Sequence, residues 1–201
     1  MSVKPRHTSP SGESRPARLI TDSLEPKTWI IAVTVLMGWH ADRLAGVGWG
    51  LVAALFSAAV PVLFIKWGEQ RGHWGDRHVR RRQDRLVVIP GIMASVTTGI
   101  ALMVLLDAPN EMIALIVAML VTLIAILIIT LAWKVSVHSA VSAGAIMMLA
   151  LAYGPWALPA FLLVALVGWS RVKLQDHSLA QVVVGTLLGP AVAGTVFSLL
   201  R

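Results

Sequence analysis

Three polar clusters interrupt a strongly apolar chain, and each contains residue types that bind or transfer phosphate. The clusters are HVRRRQDR (His78–Arg85), KVSVHS (Lys134–Ser139) and SRVKLQDH (Ser170–His177). The planar guanidinium of arginine suits phosphate oxygens, and histidine can act as a nucleophile or an acid near neutral pH. Taken singly, each cluster could instead be a set of side chains that reach lipid headgroups. Together, the clusters predict a site for an anionic ligand.

The rest of the chain indicates an integral membrane protein of the all-α class. Of its 201 residues, 57% are hydrophobic and only 13% are charged, and a helix needs about 20 mostly apolar residues to cross a bilayer. The apolar segments are 28–41, 46–66, 87–106, 112–133, 138–153, 156–169 and 179–200. Because 28–41 and 156–169 are short for a full crossing, we predict a bundle of six or seven transmembrane helices over residues 28–201.

The boundary between the fourth and fifth segments is the least marked, because neither Gly nor Pro stands near Lys134. A continuous helix over 112–153 would be about 63 Å long, which is twice the thickness of the hydrocarbon layer. We therefore expect a break in this region, and the polar KVSVHS is the least costly place for it.

The distribution of charge predicts the orientation of the bundle. Residues 1–27 are polar, basic and rich in Pro and Ser, and we predict that they form a disordered tail. With seven crossings, this tail and all three clusters lie on one side, which holds fifteen of the seventeen Lys and Arg residues. Such an excess marks the cytoplasmic face. We expect the site to lie there, at a bacterial inner or plasma membrane.

The third cluster resembles a motif of the type 2 phosphatidic acid phosphatase (PAP2) superfamily, S-R-x5-H-x3-D. Ser170, Arg171 and His177 match this motif, and Gln181 stands where the family has Asp. The resemblance extends over about 66–200 and implies a PAP2-like helical bundle.

The other two clusters match the family's remaining motifs less closely. In VSVH, Ser136 and His138 match the second motif, P-S-G-H, while valines replace its Pro and Gly. In the first motif, K-x6-R-P, Arg85 matches the arginine, His78 stands at the lysine position and Leu86 replaces the proline. The order of the three motifs and their placement between helices strengthen the resemblance.

The resemblance implies a catalytic role for two histidines. His177 would attack phosphorus and form a phosphohistidine, and His138 would protonate the leaving oxygen and then activate water. In this mechanism Arg85 and Arg171 would hold the equatorial oxygens, and Ser136 would donate a further hydrogen bond.

Three further cations complete the expected phosphate site. A protonated His78 would stand in for the lysine of the family, and Lys134 and Lys173 would compensate for this weaker cation. The mechanism uses neither a metal ion nor a cofactor.

Gln181 is the most consequential departure from the family pattern. It lies one turn after His177, so on a helix its amide oxygen can reach Nδ1, but it supplies no negative charge. Asp176 is adjacent in sequence, yet on a continuous helix it would point about 100° away from His177. In a serine-protease triad, the corresponding change of Asp to its amide costs about 10⁴ in turnover.

The expected function is therefore that of a membrane lipid phosphatase acting on an amphiphilic phosphate or diphosphate, either an isoprenoid diphosphate or a phosphatidate-type lipid. One alternative is an isoprenoid diphosphate lyase or terpene cyclase, in which the same cations pull on a diphosphate. A second is a non-catalytic protein that binds an anionic lipid. Membrane lipids are the expected partners, nucleic acid is not, and a homo-oligomer is compatible with the sequence.

Overall fold

The structure, a computed structural model, describes residues 14–73 and 82–201, and within helix Arg82–Leu105 it leaves out the side chains of residues 82, 83 and 85. Every regular element in these ranges is helical. The α-helices are α1 (Arg15–Ser23), α2 (Pro26–Ala54), α3 (Val60–Gln70), α4 (Arg82–Leu105), α5 (Asn110–Ala132), α6 (Val137–Tyr153), α7 (Phe161–Lys173), α8 (Leu179–Gly189) and α9 (Thr195–Leu200). A π-helical turn joins α2 to α3 and another joins α8 to α9, while a 3₁₀ turn, Pro155–Ala160, precedes α7.

Five helical runs in the described ranges are long and apolar enough to cross a membrane. They are Arg15–Gln70, Leu86–Leu105, Asn110–Ala132, Pro155–Lys173 and Leu179–Leu200, and α6 is a shorter apolar helix. The expected all-α class is therefore confirmed for these residues, and the five runs are compatible with the expected membrane-spanning helices.

The longest run reverses direction inside α2, where the sequence predicted a break. Arg43 has the left-handed φ of 44°. The two halves of α2 then lie against each other, because Gly38 packs directly on Gly46 and a Cβ on Gly50 would lie 2.5 Å from the carbonyl oxygen of Thr34. Small residues on both halves thus allow a tight antiparallel pair.

The expected break near Lys134 is also confirmed. Helix α5 ends at Ala132, and Trp133 is extended, with φ −149° and ψ 139°. Helix α6 then starts after Ser136, whose side chain accepts a hydrogen bond from the Ser139 amide. A serine N-cap therefore supplies the start signal in the absence of Gly or Pro.

The N-terminal segment differs from the expected disordered tail, since residues 15–23 form the helix α1. Ala17 and Thr21 are buried one turn apart and form the face that packs on α7. Pro16 stands in the first turn, where a proline is tolerated because no helical hydrogen bond needs its nitrogen. The expectation of disorder is wrong for these residues, while 1–13 lie outside the described residues.

Glycines set the contact between α6 and α8 that holds the site together. A Cβ on Gly185 would lie 2.5 Å from the carbonyl oxygen of Ser136, and Gly189 packs directly on the carbonyl oxygen of Ala140. Both contacts advance by four residues along each helix, so α6 and α8 run parallel. Their N-termini therefore lie at the same end of the bundle.

Candidate active site

Arg171 is the most deeply buried charged group of the third cluster. It lies in the last turn of α7 and is only 1% exposed. Its Nη2 lies 3.0 Å from Oδ2 of Asp176. The chain folds back at Gln175, which has a φ of 56°, and the amides of Asp176 and His177 donate to the carbonyl oxygen of Arg171, at 3.1 and 3.3 Å.

This turn corrects the expected geometry of Asp176. On a continuous helix the carboxylate would have pointed about 100° away from His177. The left-handed Gln175 instead places it against Arg171. The guanidinium therefore already has an anionic partner within the chain. Burying such a pair has a high desolvation cost, which makes this position a candidate for a functional site.

His177 is buried next to the start of α8, and a neighbouring glutamine orients its ring. Nδ1 of His177 lies 3.0 Å from Oε1 of Gln181, as the sequence predicted for a residue one turn later. The Ser178 amide also donates to this oxygen, at 3.2 Å, and the Ser178 hydroxyl accepts from the Gln181 amide, at 3.3 Å. Ser178 and Gln181 thus form a capping box.

The capping box determines which ring nitrogen of His177 carries the proton. Because the Ser178 backbone amide can only donate, the side-chain atom of Gln181 that it contacts must be the amide oxygen. An oxygen can only accept from the ring, so Nδ1 of His177 is the protonated nitrogen. Neutral His177 therefore presents the lone pair of Nε2, the form that a nucleophile requires.

The second histidine lies at the start of α6. His138 is 7% exposed and occupies the first turn, directly after Val137. The hydroxyl of Ser136 lies 3.0 Å from that of Ser139 and caps the helix. Ser136, an expected phosphate ligand, therefore has a structural role as the N-cap of α6.

Two hydrogen bonds tie the α5–α6 junction (133–136) to the α7–α8 junction (174–178) and the first turn of α8. Lys134 Nζ donates to the carbonyl oxygen of Asp176, at 2.8 Å. The Ser136 amide donates to the carbonyl oxygen of Gln181, at 3.1 Å. The second and third clusters are thus brought together, although they lie more than thirty residues apart in the sequence.

The electrostatic environment of this end of the bundle favours an anion. The N-termini of the parallel helices α6 and α8 both point to it, and each carries partial positive charge from its aligned peptide dipoles. Buried Arg171 and half-buried Lys134 add formal charge, which Asp176 partly offsets. Within the described ranges, no group of three or more His, Asp or Glu side chains is placed to hold a metal ion.

Not every expected ligand joins this group. Lys173 is exposed on the last turn of α7, and residues two apart on a helix do not share a face, so it diverges from Arg171. His78 lies outside the described residues. Arg85 lies in the first turn of α4, and its side chain is outside the description.

The sequence interpretation missed two supporting residues, Thr21 and Ser178. Thr21 of α1 contacts the hydroxyl of Ser170, at 2.9 Å, and this hydroxyl donates to the carbonyl oxygen of Val167, at 2.8 Å. Thr21 is therefore the donor, and α1 is anchored beside Arg171. No sequence signal pointed to Thr21, whereas the pattern Ser178-x-x-Gln181 is a recognisable capping box.

The chain was compared with protein-family models, with characterised proteins and with solved structures. None of the three comparisons finds a significant match.

Proposed function

We propose that this protein is a membrane-embedded lipid phosphatase of PAP2 type, which hydrolyses the phosphate or diphosphate monoester of an amphiphile through a phosphohistidine. The observation that carries the proposal is the hydrogen bond from His177 Nδ1 to Gln181 Oε1, with the same oxygen held by the Ser178 amide. This arrangement prepares the Nε2 lone pair for attack, which is the tautomer-setting role of the aspartate in a catalytic triad.

The first half-reaction transfers the phosphoryl group to His177. Nε2 forms a bond to phosphorus while the bond from phosphorus to the leaving oxygen breaks, and His138 donates a proton to that oxygen. Arg171 and the N-termini of α6 and α8 stabilise the charge on the equatorial oxygens. Arg85 and His78 are proposed to add positive charge from the start of α4 and the segment before it.

The second half-reaction releases phosphate. His138, now neutral, accepts a proton from water, whose oxygen forms a bond to phosphorus as the bond from nitrogen to phosphorus breaks. His177 returns to its starting tautomer because Gln181 keeps its hold on Nδ1 throughout. The site thus cycles between the two protonation states of His138 without a net change.

The proposed topology places this chemistry on the cytoplasmic side of a bacterial plasma membrane. If the two halves of α2 count as separate crossings and α6 as a full one, the chain crosses seven times. The site then shares its side with fifteen of the seventeen Lys and Arg residues, as expected for a cytoplasmic face.

A diphosphate lyase or cyclase is the second candidate, and one observation favours it. Gln181 is neutral, so it stabilises the imidazolium that forms on attack less than a carboxylate would. The charged partner of the cluster, Asp176, is engaged with Arg171 instead. A weak nucleophile beside an intact cationic site would assist ionisation of an allylic diphosphate rather than attack on phosphorus.

One assay separates these candidates. Purified protein is incubated with farnesyl diphosphate and with phosphatidate, and both the inorganic and the organic products are identified. Phosphate release supports the phosphatase, pyrophosphate with a hydrocarbon or cyclic alcohol supports the lyase, and no product with either substrate supports a binding protein.

The matched control for this assay is a second histidine variant. His177→Ala should abolish product formation, whereas His40→Ala should leave it intact, because His40 lies at the opposite end of the bundle, 3.6 Å from Glu111. Equal activity in wild-type protein and His177→Ala would show that His177 is not the nucleophile.

A further inference from the structure

A partly open cavity of about 170 Å³ lies between α2, α3, α4, α5 and α6. Its walls are almost entirely apolar side chains. At one end it reaches Lys27 and Val137, which is adjacent to His138, and further along α6 it reaches Met148. Val137 and Met148 are eleven residues apart, so the cavity extends about 16 Å along this helix.

The polar atoms in the cavity wall are satisfied within the protein. The Thr122 hydroxyl donates to the carbonyl oxygen of Ala118, at 2.8 Å, and the Ser57 hydroxyl donates to that of Ala53. Neither group therefore needs a ligand or an ordered water. Apolar walls of this kind accept apolar guests, as a 150 Å³ cavity that binds benzene illustrates.

The volume of the cavity limits the guest to one hydrocarbon chain. With about 170 Å³ available, the cavity holds on the order of seven carbons when scaled from benzene in 150 Å³. Its length of about 16 Å along α6 suits a narrow, extended group. A lipid with two acyl chains would need far more space.

The mouth of the cavity carries a cation at the level of the candidate active site. Lys27, which lines the cavity, pairs with Glu25 at 2.6 Å and is partly exposed. The exposed and flexible ammonium can exchange this carboxylate for an anionic headgroup. Apolar walls behind a cation match an amphiphile with a single tail and an anionic head.

We propose that this cavity binds the hydrocarbon tail of the substrate and that the substrate is a single-chain phosphate or diphosphate with about seven carbons in the cavity rather than a two-chain glycerolipid. The substrate class rests on the proposed phosphatase function, whereas the chain-binding site itself does not. Val137 links the two, since it lines the cavity while its neighbour His138 belongs to the candidate active site.

The test uses a probe that cannot be hydrolysed, heptyl phosphonate with a diazirine at the end of the chain. Wild-type protein in lipid nanodiscs is irradiated with the probe, and the labelled peptides are mapped by mass spectrometry. We expect labelling of cavity residues near the deep end, Met119 and Met148. Labelling confined to lipid-facing side chains would overturn the proposed chain-binding site. This mapping needs no variant.

A matched pair of variants adds a second measurement. Ala58 lines the cavity and is 2% exposed, whereas Ala59 is its exposed neighbour. Ala58→Leu should fill the cavity and reduce labelling of Met119 and Met148 at least fivefold, and Ala59→Leu should label as the wild type does. Equal labelling of correctly folded Ala58→Leu and Ala59→Leu would contradict the proposal.

The outcome distinguishes the chain site from the phosphatase. Probe in the cavity without hydrolysis of any substrate would overturn the proposed function and support the chain site. Hydrolysis of phosphatidate as fast as that of heptyl diphosphate, with no probe in the cavity, would support the proposed function and overturn the chain-binding site and its substrate class.

Discussion

Replacing Gln181 with methionine removes the acceptor of the His177 Nδ1 proton while it keeps the length of the side chain. The bond lost is the 3.0 Å contact to Oε1. A neutral hydrogen bond contributes about 1 kcal/mol, and a charge-assisted one is about twice as strong. Because the ring becomes cationic during attack, losing this hydrogen bond destabilises the transition state by about 1 kcal/mol more than it destabilises the resting enzyme. This difference corresponds to a decrease of about fivefold in rate. Loss of tautomer control should bring the decrease in kcat/KM to roughly tenfold.

The control for this variant separates catalysis from helix capping. Gln181→Met also breaks one half of the capping box, and Ser178→Ala breaks the other half without removing the acceptor of His177. Each should lower stability by about 1 kcal/mol, so thermal unfolding should report similar shifts. Only Gln181→Met should lose activity, measured as initial rates of phosphate release from a water-dispersed prenyl diphosphate.

The isosteric change Gln181→Glu should have the opposite effect. A carboxylate at this distance stabilises the imidazolium and therefore raises the pKa of His177. Attack needs the neutral ring, so activity should be lost at low pH, and the acidic limb of the pH–rate profile should move up by about one unit. Above that limb, kcat/KM should rise roughly tenfold. In a lyase the new anion should oppose diphosphate binding and lower the rate at all pH values.

Two results would refute the reasoning about Gln181. One is an unchanged kcat/KM in both Gln181→Met and Gln181→Glu. The other is an equal loss of activity in Ser178→Ala and Gln181→Met, which would reduce Gln181 to a cap residue.

Three further predictions follow from the geometry. Arg171→Lys should lower kcat/KM at least tenfold, since lysine lacks the planar fork, and an unchanged kcat/KM would make Arg171 a purely structural cation. Gly189→Ala should destabilise the protein by about 1–3 kcal/mol in unfolding assays, because its Cβ would overlap a backbone carbonyl of α6. The control is Gly48→Ala, whose Cβ meets nothing within 4 Å. Equal stability of the two variants would contradict the close contact between α6 and α8. A membrane-impermeant thiol reagent on intact cells should label Asn110→Cys and not Gln70→Cys, and the reverse pattern would place the site outside.

The helical architecture was largely predictable because the bilayer restricts it. The required length of a crossing helix placed a break near Lys134 even though no Gly or Pro marks it, and α5 does end at Ala132. Helix α1 was not predictable from the same reasoning. The prediction followed the local composition, which favours disorder there, and gave no weight to the helical periodicity that places Ala17 and Thr21 on one face.

The sequence named residues that the structure brings together, among them His177, Gln181 and Arg171, but it predicted their contacts only in part. The bond between His177 and Gln181 followed from a spacing of four, which depends on local geometry. The pair of Arg171 and Asp176 depends on a single left-handed residue, Gln175. Glutamine is not a residue type that signals a positive φ, so a helical interpretation of this segment was unavoidable.

Trapping of the covalent intermediate tests the central claim most directly. The protein is mixed with a prenyl diphosphate labelled with ³²P in its terminal phosphate, quenched in base within one turnover and digested, because phosphohistidine survives base. We predict label on the peptide that contains His177, and none in His177→Ala. Steady release of phosphate without any labelled histidine, or label on a different residue, would contradict the phosphohistidine mechanism.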